Sequence, residues 1–428
     1  VASVRAPRVR RLPDRGAPEL DPTQDPFTRE SIEHLVGKFG SPLFVIDAVR
    51  IRAQYRRLAA ALPGVDLHYA LKPLPHAAVV QTLQEEGAFF DLATNGEVDL
   101  VRRCGVPAER CIHTHPIKRD SDIRTALSYG VNTFVVDNPD ELRKFVKYRS
   151  RASVLIRVSF RSPDAVCDLS KKFGCTPDAV AELLTLAADL RVRVEGLSFH
   201  VGSQTRDPGM YVHAISVCRE LMDMASRHGH SLGILDIGGG FPVSYAGEPL
   251  PIEQFCAPIR RALGALAPGV RVIAEPGRYI AAPAAIAVSS VMGRARRDGR
   301  WWYYLDDGVY GSYSGQIYDH AKYPVEALAA RGSRGAPAAP GAPAAPGAPA
   351  APGARGETHP SVLAGPTCDS IDIISESVDL PELDCGDLIV GRDMGAYTWA
   401  SASDFNFFPR ATVLALDQGR VVIDRRQA

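Results

Sequence analysis

The stretch DLHYALKPLPHAAVVQTLQEEGAFFDLAT (66–94) contains an apolar run, room for one short helix, and a second apolar run that ends on an acid. This is one strand–helix–strand unit. Similar runs follow at CIHTHP (111–116), TFVVDN (133–138), VLIRVSF (154–160), LSFHVG (197–202), LDIGG (235–239) and RVIAEPG (271–277). The first five begin about 22 residues apart, enough for a strand, a short helix and two turns. Helical spacing fills gaps between them, as in DELRKFVKY (140–148), PDAVAELLTLAADL (177–190) and MYVHAISVCRELMDMASRHG (210–229). Eight consecutive units of this kind predict an α/β chain built on a closed parallel (β/α)8 barrel over residues 49–285.

Each of these strands ends on a functional side chain or a glycine cluster: Lys72, Asp91, His115, Asp137, Arg157, His200, Gly238 to Gly240, and Glu275. In a (β/α)8 barrel the C-terminal strand ends open on one face, where substrate is handled. Ordinary turn chemistry accounts for Asp91 or Asp137 alone. It does not readily account for a lysine, two histidines, an arginine and a glutamate on one rim.

Outward from the barrel the pattern changes. After residue 285 come short alternating runs, among them WWYYLDD (301–307), DLIVG (387–391) and ATVLALDQGRVVIDR (411–425), the last with a hairpin signal at Asp417–Gln418–Gly419. We read 286–428 as a C-terminal antiparallel β-sandwich or barrel domain, with the segment 27–48, including PLFVIDA (42–48), joining it. Gly335 to Pro352 is three copies of GAPAAP, an extended polyproline-like spacer within an insert at 331–357. Residues 1–26, Arg- and Pro-rich without an apolar core, are expected to form a disordered arm rather than a signal peptide.

Composition narrows the function. Among 428 residues, 49 Lys plus Arg balance 49 Asp plus Glu, which removes the usual electrostatic footprint for nucleic acid or an anionic membrane. No run of 18 apolar residues occurs, so no membrane-spanning helix is expected. The eight cysteines include no CxxC pair, so neither a disulfide framework nor a zinc site is expected. They read as mostly buried thiols in a reducing, cytoplasmic setting, and no metal is anticipated.

A lysine amine in a barrel mouth can form a Schiff base with a carbonyl. Glycines in Asp236–Ile–Gly–Gly–Gly–Phe–Pro242 let backbone amides approach a phosphate closely. Glu275 and Arg278, three residues apart, could hold a protonated ring nitrogen and a phosphate. Together these describe a site for pyridoxal 5'-phosphate.

On these residues the chain resembles the fold-type III pyridoxal-phosphate decarboxylases, which include ornithine, lysine, arginine and diaminopimelate decarboxylases. The shared motifs run in order from about residue 30 to the end: YALK (69–72), FDLATNGE (90–97), HVGSQ (200–204), GGGFP (238–242), EPGRY (275–279), DGVYGSY (307–313), YDH (318–320), GPTCDS (365–370), GAYT (395–398) and FNFFP (405–409). The resemblance implies that Lys72 carries the cofactor aldehyde, His200 stacks on its ring and Glu275 pairs with its nitrogen. It implies phosphate contacts from Ser203, Gly239, Gly240, Arg278 and Tyr397, and polar support from Asp91 and Arg157. Cys368 would return a proton to the α-carbon from across a homodimer interface, so that two active sites are shared between subunits. Asp319 and Asp369 match the acidic pair that holds a distal amine, with Tyr310 and Phe407 beside the substrate.

L-Ornithine, then L-lysine, is the expected substrate, giving putrescine or cadaverine for polyamine biosynthesis. Arginine, meso-diaminopimelate and a specialised diamino acid are the alternatives, followed by a catalytically silent partner-binding relative of the antizyme-inhibitor kind. Three departures bear on specificity. Phe407 replaces the usual glycine of FNGF, Pro73–Leu74–Pro75 follows the lysine where Ala-Asn or Cys-Asn is more usual, and Thr94–Asn95 stands where a serine is expected after the strand that holds Asp91.

Overall fold

The computed structural model describes residues 20, 25–160, 171–245, 251–328 and 357–422. The proposed N-terminal arm and the GAPAAP insert lie almost entirely outside these residues, as does Cys167.

Strand β1 (Leu43–Asp47) precedes the barrel. The barrel is closed by eight parallel strands: β2 (Val65–Ala70), β3 (Phe89–Leu92), β4 (Cys111–His113), β5 (Thr133–Val136), β6 (Ser153–Val158), β7 (Arg193–Phe199), β8 (Ile234–Asp236) and β9 (Arg271–Ala274), with β9 pairing back onto β2. Every strand expected from the sequence is present. Helices cover the outside because the strands are largely buried on both faces and need a partner layer. The helix Asn95–Arg103 starts on a reciprocal cap in which Thr94 accepts from the Glu97 backbone while the Glu97 carboxylate accepts from Thr94 and Ala93. The 140–148 segment is helical only to Lys144 and tightens into a 3-10 turn at Phe145–Tyr148.

The second region is a sheet of β1 with β10 (Ala285–Arg297), β11 (Arg300–Leu305), β12 (Val325–Leu328), β13 (His359–Ala364), β14 (Ile373–Leu380), β15 (Leu388–Gly391), β16 (Thr412–Asp417) and β17 (Arg420–Val422). It is mixed rather than antiparallel throughout. β1 runs parallel to β16, and β11 runs parallel to β13. The first pairing arises because β1, from before the barrel, inserts between β10 and β16.

All five residues of β1 are buried, and their alternation divides them between two cores. Phe44 and Ile46 face the large core shared with the barrel, whereas Leu43 and Val45 face a smaller one closed by Ile32 and Leu35 of the helix Arg29–Phe39. Truncating one such side chain to alanine costs about 2–5 kcal/mol. β16 and β17 meet in a two-residue hairpin with Gln418 at φ 48° and Gly419 at φ 77°, the mirror-image turn that matches strand twist.

Candidate active site

The C-terminal ends of the barrel strands bring most of the expected groups to one mouth. Lys72 follows β2 and is open to solvent there. Its ammonium is favoured above the ordinary lysine range, first by the Tyr397 phenol oxygen and then by the Asp91 and Glu275 carboxyl groups, against the cost of desolvation and the Arg157 charge. Asp91, in β3, is buried and accepts a 2.5 Å hydrogen bond from the Thr114 hydroxyl. Desolvation, and Glu275 after it, push the Asp91 carboxyl well above its usual range.

Glu275 follows β9, where its backbone N–H donates to Gly238 O at 2.8 Å. Desolvation raises its carboxyl well above normal, and the neighbouring Asp236 adds to the effect. Asp236, fully buried at the end of β8, is itself pushed up to about 7 by burial. One of its oxygens accepts from Gly238 N, and its carboxyl lies within hydrogen-bonding reach of that of Glu275. Two carboxyl groups in so little water cannot both ionise cheaply, so this pair favours retaining a proton.

His200 follows β7. Its Nδ1 accepts from Gly202 N at 3.0 Å, which places the proton of the neutral ring on Nε2. Desolvation, Lys72 and Arg157 all hold the imidazole well below its ordinary range, so a flat, uncharged ring faces the mouth. Arg157, in β6, has its guanidinium 5.5 Å from the Phe173 ring centre.

The glycine loop after β8 is shaped by close approach. A Cβ on Gly239 would lie 2.5 Å from Glu275 O, and one on Gly240, at φ 108°, would lie 2.2 Å from Gly202 O. Packing therefore requires both glycines whether or not their amides serve a ligand. Beside them Arg278 is buried, with Nη2 3.2 Å from Ser203 Oγ and 2.5 Å from Asp319 Oδ2. Its Nη1 donates to Tyr245 at 3.0 Å, and the guanidinium lies 4.6 Å from the Tyr397 ring centre. Nε of Arg278 is buried without a partner. A cradle with no room for a Cβ, an orphaned guanidinium donor and an accessible lysine fit pyridoxal phosphate.

Two expected rim groups have other roles. Asp137 accepts from Gly174 N at 2.8 Å, and His115 Nδ1 accepts from Ile117 N at 3.1 Å, so both tie down loops. Asp319, expected to receive a substrate amine, is occupied here by Arg278. The Pro73 departure sits at a junction, since Tyr397 N donates to Pro73 O at 3.1 Å and so links the sheet region to the lysine loop.

The remaining candidates form a separate group on the sheet region. Tyr310 donates to Asp369 at 2.5 Å and stacks on Phe405 with ring centres 4.3 Å apart. The Tyr310 hydroxyl holds the Asp369 carboxyl below its ordinary range. Cys368 is exposed, its N–H donating to Asn406 Oδ1 at 3.2 Å. Phe407 is 96% exposed at φ 59°. Its left-handed backbone explains why glycine suits that position, and its ring, expected beside the substrate, projects into solvent from the single chain. By contrast Cys111, Cys218 and Cys256 are buried, their thiols pushed up by burial.

Sequence reasoning left several contributors unassigned. Asp236 opens the glycine motif, where nothing local marks it as a buried acid beside Glu275. Asp372 accepts from Val309 N and Thr367 N at 2.8 and 2.9 Å and so ties two motif loops together. Nothing local in the sequence marks Tyr245 as a partner of Arg278.

Residues 48–282 match the family model described as pyridoxal-dependent decarboxylase, pyridoxal binding domain. The chain is 33% identical over 394 residues to a lysine/ornithine decarboxylase of Selenomonas ruminantium, covering 92% of this chain and 94% of that protein. It is 38% identical to mouse ornithine decarboxylase over 387 residues, covering 86% and 79% respectively. The solved structure of a lysine/ornithine decarboxylase from Vibrio vulnificus with putrescine is 52% identical and superposes with a TM-score of 0.82 over 91% of this chain and 99% of that one; the same match is found for its cadaverine complex. The chain belongs to the fold-type III pyridoxal-phosphate-dependent decarboxylases, and lies close to the bacterial lysine/ornithine enzymes.

Proposed function

We propose that the protein decarboxylates L-ornithine and L-lysine to putrescine and cadaverine, as a polyamine-forming homodimer of the cytoplasm. The observation that carries this reading is the barrel mouth itself, where Lys72, neutral His200, the protonated Asp236–Glu275 pair and Arg278 converge in a chain 52% identical to a protein solved with both diamines. Among the described residues no helix is long and apolar enough to cross a membrane.

Bound pyridoxal phosphate supplies an electron sink for the pair left when the bond to the substrate carboxylate breaks. The residues of the chain set up that event. Lys72 would offer the amine that anchors the cofactor aldehyde, and Arg278, Ser203, Gly239, Gly240 and Tyr397 would hold its phosphate. His200 would present a flat neutral face to the ring. Glu275 would pair with the ring nitrogen and give it the proton that burial and Asp236 keep on the pair, its carboxylate then holding that proton in place, with Asp91 and Arg157 shaping the field around Lys72. Asp319 and Asp369 pair with the distal ammonium, a charge-assisted contact that a second carboxylate on the substrate would turn into repulsion. Cys368 delivers its thiol proton to the substrate α-carbon after carbon dioxide leaves.

Cys368, Asp369, Tyr310 and Phe407 share no hydrogen bond or ion pair with Lys72 among the described residues, and the exposure of Cys368 and Phe407 supports a role toward a second copy. L-Ornithine, L-lysine, L-arginine, meso-diaminopimelate and their D-isomers, assayed for amine product by mass, test the substrate. Putrescine and cadaverine are expected from the L-isomers. Amine only from arginine or diaminopimelate would overturn the assignment. Amine from none, with cofactor bound, would favour a silent binding relative.

A further inference from the structure

Asp319 is held by a residue that the cofactor phosphate also requires. Arg278 Nη2 lies 2.5 Å from Asp319 Oδ2, and the two side chains are only 4% and 14% exposed. The same nitrogen reaches Ser203 Oγ at 3.2 Å, Nη1 is taken by Tyr245, and Nε is buried without a partner. Arginine stays charged at any working pH, and a cation so deeply placed needs a counter-anion. In this arrangement Asp319 is that anion. A phosphate received by Arg278 and Ser203 would meet a carboxylate already on the shared nitrogen, and two anions at that distance repel strongly where water is scarce.

We propose that Asp319 is a resident counter-anion to Arg278 which the cofactor phosphate displaces, so that cofactor binding releases this carboxylate to receive the distal ammonium of the substrate. Its place in the chain suits such an exchange. Asp319 follows the single-turn helix Gly315–Tyr318 and precedes His320, which adopts φ 51°, so its side chain is not clamped within a regular element. The inference rests on the proposed reading in which Arg278 binds phosphate and Asp319 binds the amine. It adds a coupling between them, and equilibrium coupling is reciprocal: an amine that draws Asp319 away must strengthen phosphate binding by the same factor that phosphate strengthens amine binding.

The test uses the full-length chain freed of cofactor, titrated calorimetrically with pyridoxal phosphate, pyridoxal and inorganic phosphate. Asp319→Asn should bind both phosphate-bearing ligands roughly 5- to 100-fold tighter than the unsubstituted chain, the span of ordinary coupling between sites, with pyridoxal unchanged. Asp319→Glu, which keeps the charge, should stay within about 3-fold of it. Unchanged or weaker phosphate affinity in Asp319→Asn, or equal tightening of pyridoxal, would overturn the inference. Should Asp319→Asn fail to fold, the unsubstituted chain still decides. Saturating 1,4-diaminobutane or 1,5-diaminopentane should tighten inorganic phosphate binding while 1-aminobutane does not, and no effect of either diamine overturns the coupling. If the unsubstituted chain bound neither pyridoxal phosphate nor phosphate, the assignment of the cofactor site would itself be wrong.

Discussion

The barrel mouth and the Cys368 edge of the sheet, the two proposed halves of one reaction, lie in opposite physical settings. In the mouth, Asp91, Asp236 and Arg278 are buried, charges are balanced within the chain, and burial sets which groups hold protons. At the edge, Cys368 and Phe407 stand in solvent, and Phe407 holds an aromatic side chain on a left-handed backbone. The mouth is organised by its own fold. An exposed ring on a left-handed backbone returns nothing to the isolated chain, and in the proposed reading a second copy covers it.

The largest effect should separate the two regions by cofactor retention. Lys72→Ala should lose both the visible absorbance band of the bound cofactor and amine formation. A retained band would remove Lys72 from its assigned place. Cys368→Ala should lower amine formation by about 10²- to 10⁴-fold, the usual worth of a positioned proton donor, while leaving the absorbance band intact. Rates near those of the unsubstituted chain would mean that the edge takes no part in the chemistry.

Acid should act on the barrel rather than on the edge. His68 and His113 are buried, and burial lowers each to about 3. Unfolded, both titrate near 6.5, so the unfolded chain binds more protons at these two sites between about 6.5 and 3, and their contribution to stability falls as pH falls through that window. The raised carboxyls of Asp91, Asp236 and Glu275 act in the opposite direction, so the test is a difference between chains: on going from pH 7.5 to pH 5 the urea midpoint of His113→Phe should rise relative to that of the unsubstituted chain, because both nitrogens of His113 are buried without partners and the lost imidazole no longer opposes folding in acid. A smaller effect is expected at Phe407. Glycine there relieves a left-handed backbone worth about 1 kcal/mol, so Phe407→Gly should raise the stability of the single chain while altering self-association. A stability loss would show that the ring packs within its own subunit.

These contrasts also mark what the sequence could convey. The barrel was legible because each strand repeats the same apolar run and ends on a polar residue, as β2 does with Lys72 and β9 with Glu275. A strand end fixes which face a side chain reaches, so local pattern sufficed for most of the mouth. The sheet was less legible, because β1 reaches β10 and β16 across more than 200 residues, and no local pattern encodes a parallel pairing at that range. The same limit applied to the Arg278–Asp319 ion pair and to Asp372, whose partners are set by tertiary packing. Asp236 was visible as a residue but not as a buried acid beside Glu275, since burial depends on how β8 and β9 pack together.

The claim that the exposed edge completes the mouth of a second copy is tested most directly by mixing two inactive variants. Lys72→Ala supplies an intact edge, and Cys368→Ala supplies an intact mouth. Unfolded together in equal amounts and refolded with pyridoxal phosphate, they should recover about a quarter of the unsubstituted activity toward L-ornithine or L-lysine, because random pairing leaves one complete site in half of the dimers. Recovery of no activity, with the mixed dimers shown to form, would place Lys72 and Cys368 in the same subunit's site and contradict the account.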